Sequence, residues 1–380
     1  MGIFSSTPTI SGRSNGLDAL RAILALWVVT VHIFPLTEAV RGVGSAPRIA
    51  LRLVSFATAI TQTTWELNSA VIVFIVLSGY CIHRSGFRED RRDIKSYAVR
   101  RAARILPIFY FAFFVGLAIG RKSQEPSWAC IAAHATTFST LTSKFTSCEL
   151  GNGPLPTVIV EIVLYALYAL AFWLLGGRGR ENWIWYGCGI VAFISFIVAA
   201  RESSDPPFYN WWQNMSLLGF IPFWWIGAAF VNPTIAKAAR RWIPLSISAY
   251  VVTTAAVLAL TSFQTKDTVE PLASIISQAR ELVLAILAGT LIVKLESVKI
   301  SWRNPVAVLG RASYSLYALN SPINYFLITR EVPWPLIMAA DIAVALVSYA
   351  LIERCGIALG RMYLTNLITL AARRQELKPS

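Results

Sequence analysis

Three ionisable side chains stand on one otherwise apolar stretch, LDALRAILALWVVTVHIFP at 17–35: Asp18, Arg21 and His32. Polar groups inside lipid cost several kcal/mol unless something satisfies or uses them, so each needs a reason to be there. At about 100° per residue, the eleven steps from Arg21 to His32 return to within roughly 20° of the starting direction. A helix therefore puts both on one face, about 16 Å apart along its axis. Asp18 falls about 40° from His32, on the same stripe, with Ala25 and Val28 filling the space between. Imidazole exchanges protons near neutral pH, so His32 has the chemistry of a general base toward a hydroxyl; the alternative is a structural histidine bonded to a neighbouring helix.

Other residues have chemistry to offer. Glu161 lies in VEIVLYALYAL with Tyr165 and Tyr168 at i+4 and i+7 on its face. A carboxylate there either orients His32 and stabilises its imidazolium, or forms a salt bridge to an arginine such as Arg21. Asp341 and Glu281 are further acids in apolar runs with no obvious partner. Arg100, Arg101 and Arg104 precede Ile105-Leu106-Pro107 and form a cationic cluster at a helix entrance. Guanidinium forks suit the phosphates of a nucleotide or CoA, and equally suit anchoring at the inner membrane face. Ser78-Gly79 permits close backbone approach by a helix or a ligand. His83 and His134 read as solvated bystanders.

The elements that must position these groups are membrane helices. The chain is 56% hydrophobic and 14% charged, with a mean hydropathy of +0.57, which excludes a soluble domain. Ten apolar windows follow, at 17–36, 68–83, 105–120, 156–175, 183–200, 213–231, 242–263, 272–295, 305–328 and 334–352. The expected fold is thus an all-α integral membrane protein, a bundle of about ten transmembrane helices. Residues 46–64, with Arg48 and Arg52 early and polar Thr and Gln late, read as an interfacial or re-entrant helix.

Net charge of +14 comes mainly from short loops and reads as topology-setting charge, not as a nucleic-acid surface. The loop after the second window carries Arg84, Arg88, Arg91, Arg92, Lys95, Arg100, Arg101 and Arg104. Arg178 and Arg180, then Lys237, Arg240 and Arg241, then Lys294, Lys299 and Arg303 follow the fourth, sixth and eighth windows. Intervening loops are poorer, Arg41, Arg48 and Arg52 excepted, so both termini are expected to be cytoplasmic. The division is a tail at 1–16, a membrane domain at 17–353 and a tail at 354–380. MGIFSS fits a myristoylation pattern that arises often by chance, and no cleavable signal sequence is evident.

Trp and Tyr crowd window ends, including Trp211 and Trp212, which read as interfacial anchors or, alternatively, a sugar-stacking platform. The five cysteines show no CxxC and no His/Cys cluster, so no metal is expected. Cys130 and Cys148 share one outer loop where an oxidising compartment would permit a bridge.

Taken together, several segments resemble the acyltransferase-3 family of integral membrane O-acyltransferases. LDALRAILALWVVTVH resembles its opening segment with a basic-x10-His pattern, FIVLSG its FFxxSG motif, and RRAARILP its RxxR loop. Glu161 with Tyr165 resembles its Glu-containing span, SYSLYALNSP its SYxxYLxHxP motif, and LIER at 351–354 its closing segment. The matches run in family order over nearly the whole chain. Three departures stand out: Asn320 replaces the usual His, the Trp-Ser-Leu before the glutamate is missing, and Cys355 replaces the closing proline.

The resemblance implies ten membrane helices in the plasma (inner) membrane, moving an acyl group, usually acetyl, from cytoplasmic acyl-CoA to a hydroxyl of an extracytoplasmic glycan. It implies His32 as base with Arg21 as its motif partner, Arg101 and Arg104 in CoA binding, Ser78 and Gly79 lining the site, and Glu161 in support. The donor phosphates are then expected at Arg101, Arg104 and Arg100, and the pantetheine arm along the Arg21–His32 stripe with Asp18 at its foot. Ser313, Tyr314 and Asn320 are candidates for the oxyanion. A polytopic transporter of a glycan or small metabolite would use the same buried charges but favours inverted repeats and broken helix pairs, which the sequence lacks. A scaffold of a polysaccharide assembly complex would use them as structural pairs.

Overall fold

The computed structural model describes residues 14–61, 69–88, 94–122, 125–145, 148, 150–175, 181–201, 206–262 and 270–376. The MGIFSS segment, Arg91, Arg92, Arg178 and Arg180 lie outside them. Among the described residues the fold is all helical, with no strand. The helices are α1 Asn15–Arg41, α2 Arg48–Thr61, α3 Ser69–Arg88, α4 Ile94–Ile119, α5 Trp128–Ala135, α6 Leu155–Leu175, α7 Glu181–Ala200 and α8 Pro206–Asn214. They continue as α9 Leu217–Ala229, α10 Pro233–Arg241, α11 Ile243–Ser262, α12 Glu270–Glu296, α13 Pro305–Arg311, α14 Ser313–Ile328, α15 Trp334–Ser348 and α16 Arg354–Glu376.

Each of the ten apolar windows contains a helix, but they are not equally able to cross a bilayer. Among the described residues, five are long and apolar enough alone: Asn15–Arg41, Ile94–Ile119, Ile243–Leu260, Pro271–Glu296 and Trp334–Asn366. Trp211–Ala229 and Pro233–Arg241 make a sixth only if joined across a 98° bend. Ser69–Ser85, Leu155–Leu170 and Tyr186–Ala200 are shorter apolar helices. The chain is a multi-pass membrane protein.

Local chemistry sets several boundaries. Ser14 caps α1 by accepting from Leu17 N, and the helix ends at Gly42, whose φ of 95° suits glycine. Ser14 Oγ also donates to Glu296 O (3.1 Å) and Asn15 Nδ2 to Ile300 O (2.8 Å), which ties the start of α1 to the end of α12. The 213–231 window is interrupted where Ser216 caps α9. The 305–328 window divides at Ala312, between α13 and α14. Residues 354–376, read as a tail, continue the α15 helix through a π turn at Tyr349–Glu353.

The helices around the site pack closely because small residues sit at the crossings. In lipid, van der Waals packing rather than water exclusion holds helices together, so such approaches carry much of the stability. A Cβ at Gly79 of α3 would lie 1.9 Å from Trp224 O of α9, and one at Gly227 of α9 would lie 1.9 Å from Val76 O of α3. This reciprocal contact lets α3 and α9 cross backbone to backbone.

The structure corrects several readings. Trp211 and Trp212 are buried, their indole N–H groups donating to Ser139 O and Ser195 Oγ, so they serve internal packing and neither anchor nor stack on sugar. Glu281 has a partner: Gln278 Nε2 donates to it at 3.4 Å while Gln213 donates to Gln278 (2.8 Å). Asp341 is buried with no hydrogen-bond partner among the described residues. Cys130 and Cys148 form a disulfide. His134, far from solvated, is buried in α5 with Nδ1 3.0 Å from Cys130 O. The spacing shows no His/Cys cluster, yet folding brings Cys130, His134 and Cys148 within 4.8 Å; with the sulfurs bridged, no thiolate pair is offered there to a metal. His83 is likewise half-buried, 3.0 Å from Tyr168 Oη.

Candidate active site

A cavity of about 100 Å³ lies among α1, α3, α4, α6 and α14. Its polar lining comes from widely separated stretches: Arg21, Ser78, Arg101, Arg104, Glu161 and Ser313, with Tyr165, Tyr314 and Tyr317 beside them. Three arginines and one carboxylate sharing a pocket in a membrane protein are costly unless each charge is held.

Each of three is held by named partners. Arg21 Nη1 donates to Asp18 Oδ1 at 2.8 Å, one helical turn back, and Nη2 to Cys81 Sγ of α3 at 3.1 Å. Asp18 is fully buried beneath it and does not line the pocket. Arg101 donates to Ser85 Oγ (3.1 Å) and lies 5.7 Å from the Tyr97 ring and 6.0 Å from the Tyr165 ring, a cation–π sandwich that fixes its fork. Glu161 accepts from Tyr165 Oη, and Tyr165 Oη in turn lies 2.9 Å from Ser78 Oγ. A chain Ser78–Tyr165–Glu161 thus joins α3 to α6 across the floor of the pocket.

The neighbours of these residues take other work. Arg100 is exposed and lies outside the lining, so the cationic cluster contributes two of its three members. Gly79 packs against Trp224, and the role of lining the site falls to Ser78. Ser313 and Tyr314 line the pocket, the Tyr314 hydroxyl being buried without a hydrogen-bond partner among the described residues. Ser315 donates through its backbone (3.2 Å) and its hydroxyl to the buried Glu353, which pins the start of α14 to the π turn.

His32 sits apart from this pocket. Its Nδ1 is 2.7 Å from Oδ1 of Asn320 on α14, so Glu161 does not orient it and Asn320 does. Tyr317, one turn before Asn320, lines the pocket and meets Phe74 edge-on at 5.6 Å. The groove expected between Arg21 and His32 is not one cavity: the pocket that holds Arg21 is lined by Phe74 and Tyr317 but not by His32. Phe74, Cys81, Thr157 and Tyr317 were not singled out from the sequence. An apolar residue on a buried helix face carries no signal of its function until its neighbours are known.

The site defines a class: a multi-pass membrane protein with a charged and aromatic pocket and, outside it, a half-buried histidine held by Asn320. Residues 14–353 match the family model described as acyltransferase domain, and the chain belongs to the acyltransferase-3 family of membrane acyltransferases. No curated protein and no solved structure matches the chain.

Proposed function

We propose that this acyltransferase moves an acyl group, acetyl by preference, from cytoplasmic acyl-CoA to a hydroxyl of an extracytoplasmic glycan in the plasma (inner) membrane. The observation that carries the reading is the convergence of Arg21, Arg101 and Arg104 on one pocket that is also lined by Tyr317, one turn before the Asn320 that holds His32.

Arg101 and Arg104 line the pocket, and their guanidinium forks bind the donor phosphates bidentately. The pantetheine arm runs up the pocket past Arg21 and Ser78. About 16 Å of helix axis separates Arg21 from His32, roughly half of a ~30 Å hydrocarbon core, a span that an extended arm covers. The acyl end reaches the imidazole when the Phe74 and Tyr317 rings, which touch edge-on, move apart. His32 takes the proton of the acceptor hydroxyl as that oxygen attacks the thioester carbonyl. The new C–O bond forms, the C–S bond breaks, and the departing CoA thiolate recovers the proton from the imidazolium. Ser313 and Tyr314, which line the pocket apart from His32, offer hydroxyl donors to the pantetheine arm. The Ser78–Tyr165–Glu161 chain keeps the carboxylate beneath the arginines from collapsing onto them, so that two positive forks remain for the donor.

The test is glycan mass analysis of a deletion strain complemented with wild-type or His32→Ala protein. Loss of acyl mass from the surface glycan, restored by the wild type alone, supports the assignment; an unchanged glycan in the deletion strain refutes it.

A further inference from the structure

The ring of His32 and the amide of Asn320 meet Nδ1 to Oδ1. The other end of that amide is committed. Asn320 Nδ2 donates to Tyr317 O at 2.7 Å and to Leu316 O at 3.2 Å, both carbonyls of its own helix. Carbonyl oxygens accept and never donate. Turning the amide over would set its oxygen against two carbonyl oxygens and lose both bonds inside a buried site, so the amide's orientation follows from helix chemistry. The atom that Asn320 presents to His32 is therefore an acceptor only, and the hydrogen between them belongs to Nδ1.

We infer that Asn320 is a positioning residue that holds neutral His32 as its Nδ1–H tautomer and leaves Nε2 as the basic nitrogen. Among the described residues Nε2 has no protein hydrogen-bond partner, and the ring is half-buried, so this lone pair is free to face a substrate hydroxyl. An amide, unlike an imidazole or a carboxylate in the same place, cannot take up a proton. No relay leads from His32 into α14: the proton lifted from the acceptor hydroxyl stays on Nε2 until the CoA thiolate takes it. The role in catalysis rests on His32 being the base; the tautomer does not.

The experiment uses the full chain in detergent micelles with ¹⁵N-labelled histidine, His32 being assigned by its loss in His32→Gln. At a pH where the ring is neutral, the wild type shows a protonated Nδ1 and a bare Nε2. Asn320→Asp keeps that pattern, because a carboxylate also only accepts. Asn320→Ala averages the two nitrogens toward a mixture of tautomers and lowers kcat by about 10²–10³-fold, with the donor KM within about twofold, as expected when an imidazole's tautomer is no longer held. An Nε2–H tautomer in the wild type, or an unchanged Nδ1–H pattern in Asn320→Ala, overturns the inference. Absence of acyl transfer in every protein would instead defeat the proposed reaction, while the spectra would still decide the tautomer.

Discussion

Arg21 reaches back one turn of its own helix to Asp18, Nη1 to Oδ1 at 2.8 Å, and Asp18 is wholly shielded from solvent. A buried carboxylate that loses its cation costs about 3–5 kcal/mol, whereas removing both charges costs far less. Arg21→Ala alone is therefore expected to reduce the folded yield and thermal stability in detergent more than Asp18→Ala/Arg21→Ala does, while neither variant transfers acyl groups. Equal melting temperatures for the single and double variants would show that the pair does not hold the foot of α1.

The proposed donor binding and membrane anchoring make different demands on the arginine cluster. Arg101 and Arg104 line the pocket and Arg100 is exposed. Arg101→Ala and Arg104→Ala should each raise the KM for acyl-CoA by about 10–100-fold, the value of one to two charge-assisted bonds, with kcat within a few-fold. Arg100→Ala should leave both constants within about twofold. Equal effects at all three would assign the cluster to topology.

The arithmetic of α1 was legible in the sequence: an apolar helix bearing Asp18, Arg21 and His32 on one stripe is what folds. What that stripe meets was not. Arg21 is met by Cys81 of α3 and His32 by Asn320 of α14, residues 60 and 288 positions away, and no periodicity encodes such partners. Helix breaks were hidden for a related reason. Ala312 has no capping side chain to announce the end of α13; the break accompanies the approach of Gly310 to Asp18 O, where a Cβ would sit only 1.7 Å away. Burial of Trp211 and Trp212 was likewise invisible, since an indole at a window end serves lipid or protein equally well.

Phe74 and Tyr317 meet edge-on in the lining of the pocket, at the passage proposed toward His32. Phe74→Ala should widen that passage and raise kcat/KM for longer acyl donors relative to acetyl by about tenfold, consistent with one to three kcal/mol for a hydrophobic pocket that gains a few methylenes of room. Phe74→Trp should depress turnover with every donor and leave CoA affinity unchanged. An unaltered chain-length profile in Phe74→Ala would place the acyl path elsewhere.

Outside the membrane helices, burial pushes the His134 imidazole below its ordinary value near 6.5, the bond to Cys130 O opposing it. The unfolded segment then binds more protons than the folded one at mildly acidic pH, so stability rises with pH. The contribution is complete above about pH 6.5 and is lost as the pH falls below it. The protection of α5 amides, with exchange corrected for its intrinsic pH dependence, should fall below that pH in the wild type and be flat in His134→Gln; a flat profile in both would mean that His134 titrates normally.

The account turns on His32 as the base. Purified protein in liposomes, given labelled acetyl-CoA on one side and a glycan acceptor on the other, measures it directly. Wild type should transfer label to the acceptor, and His32→Ala should lose about 10²–10⁴-fold in kcat while retaining acetyl-CoA affinity and its melting temperature. Near-normal turnover in His32→Ala would contradict the account.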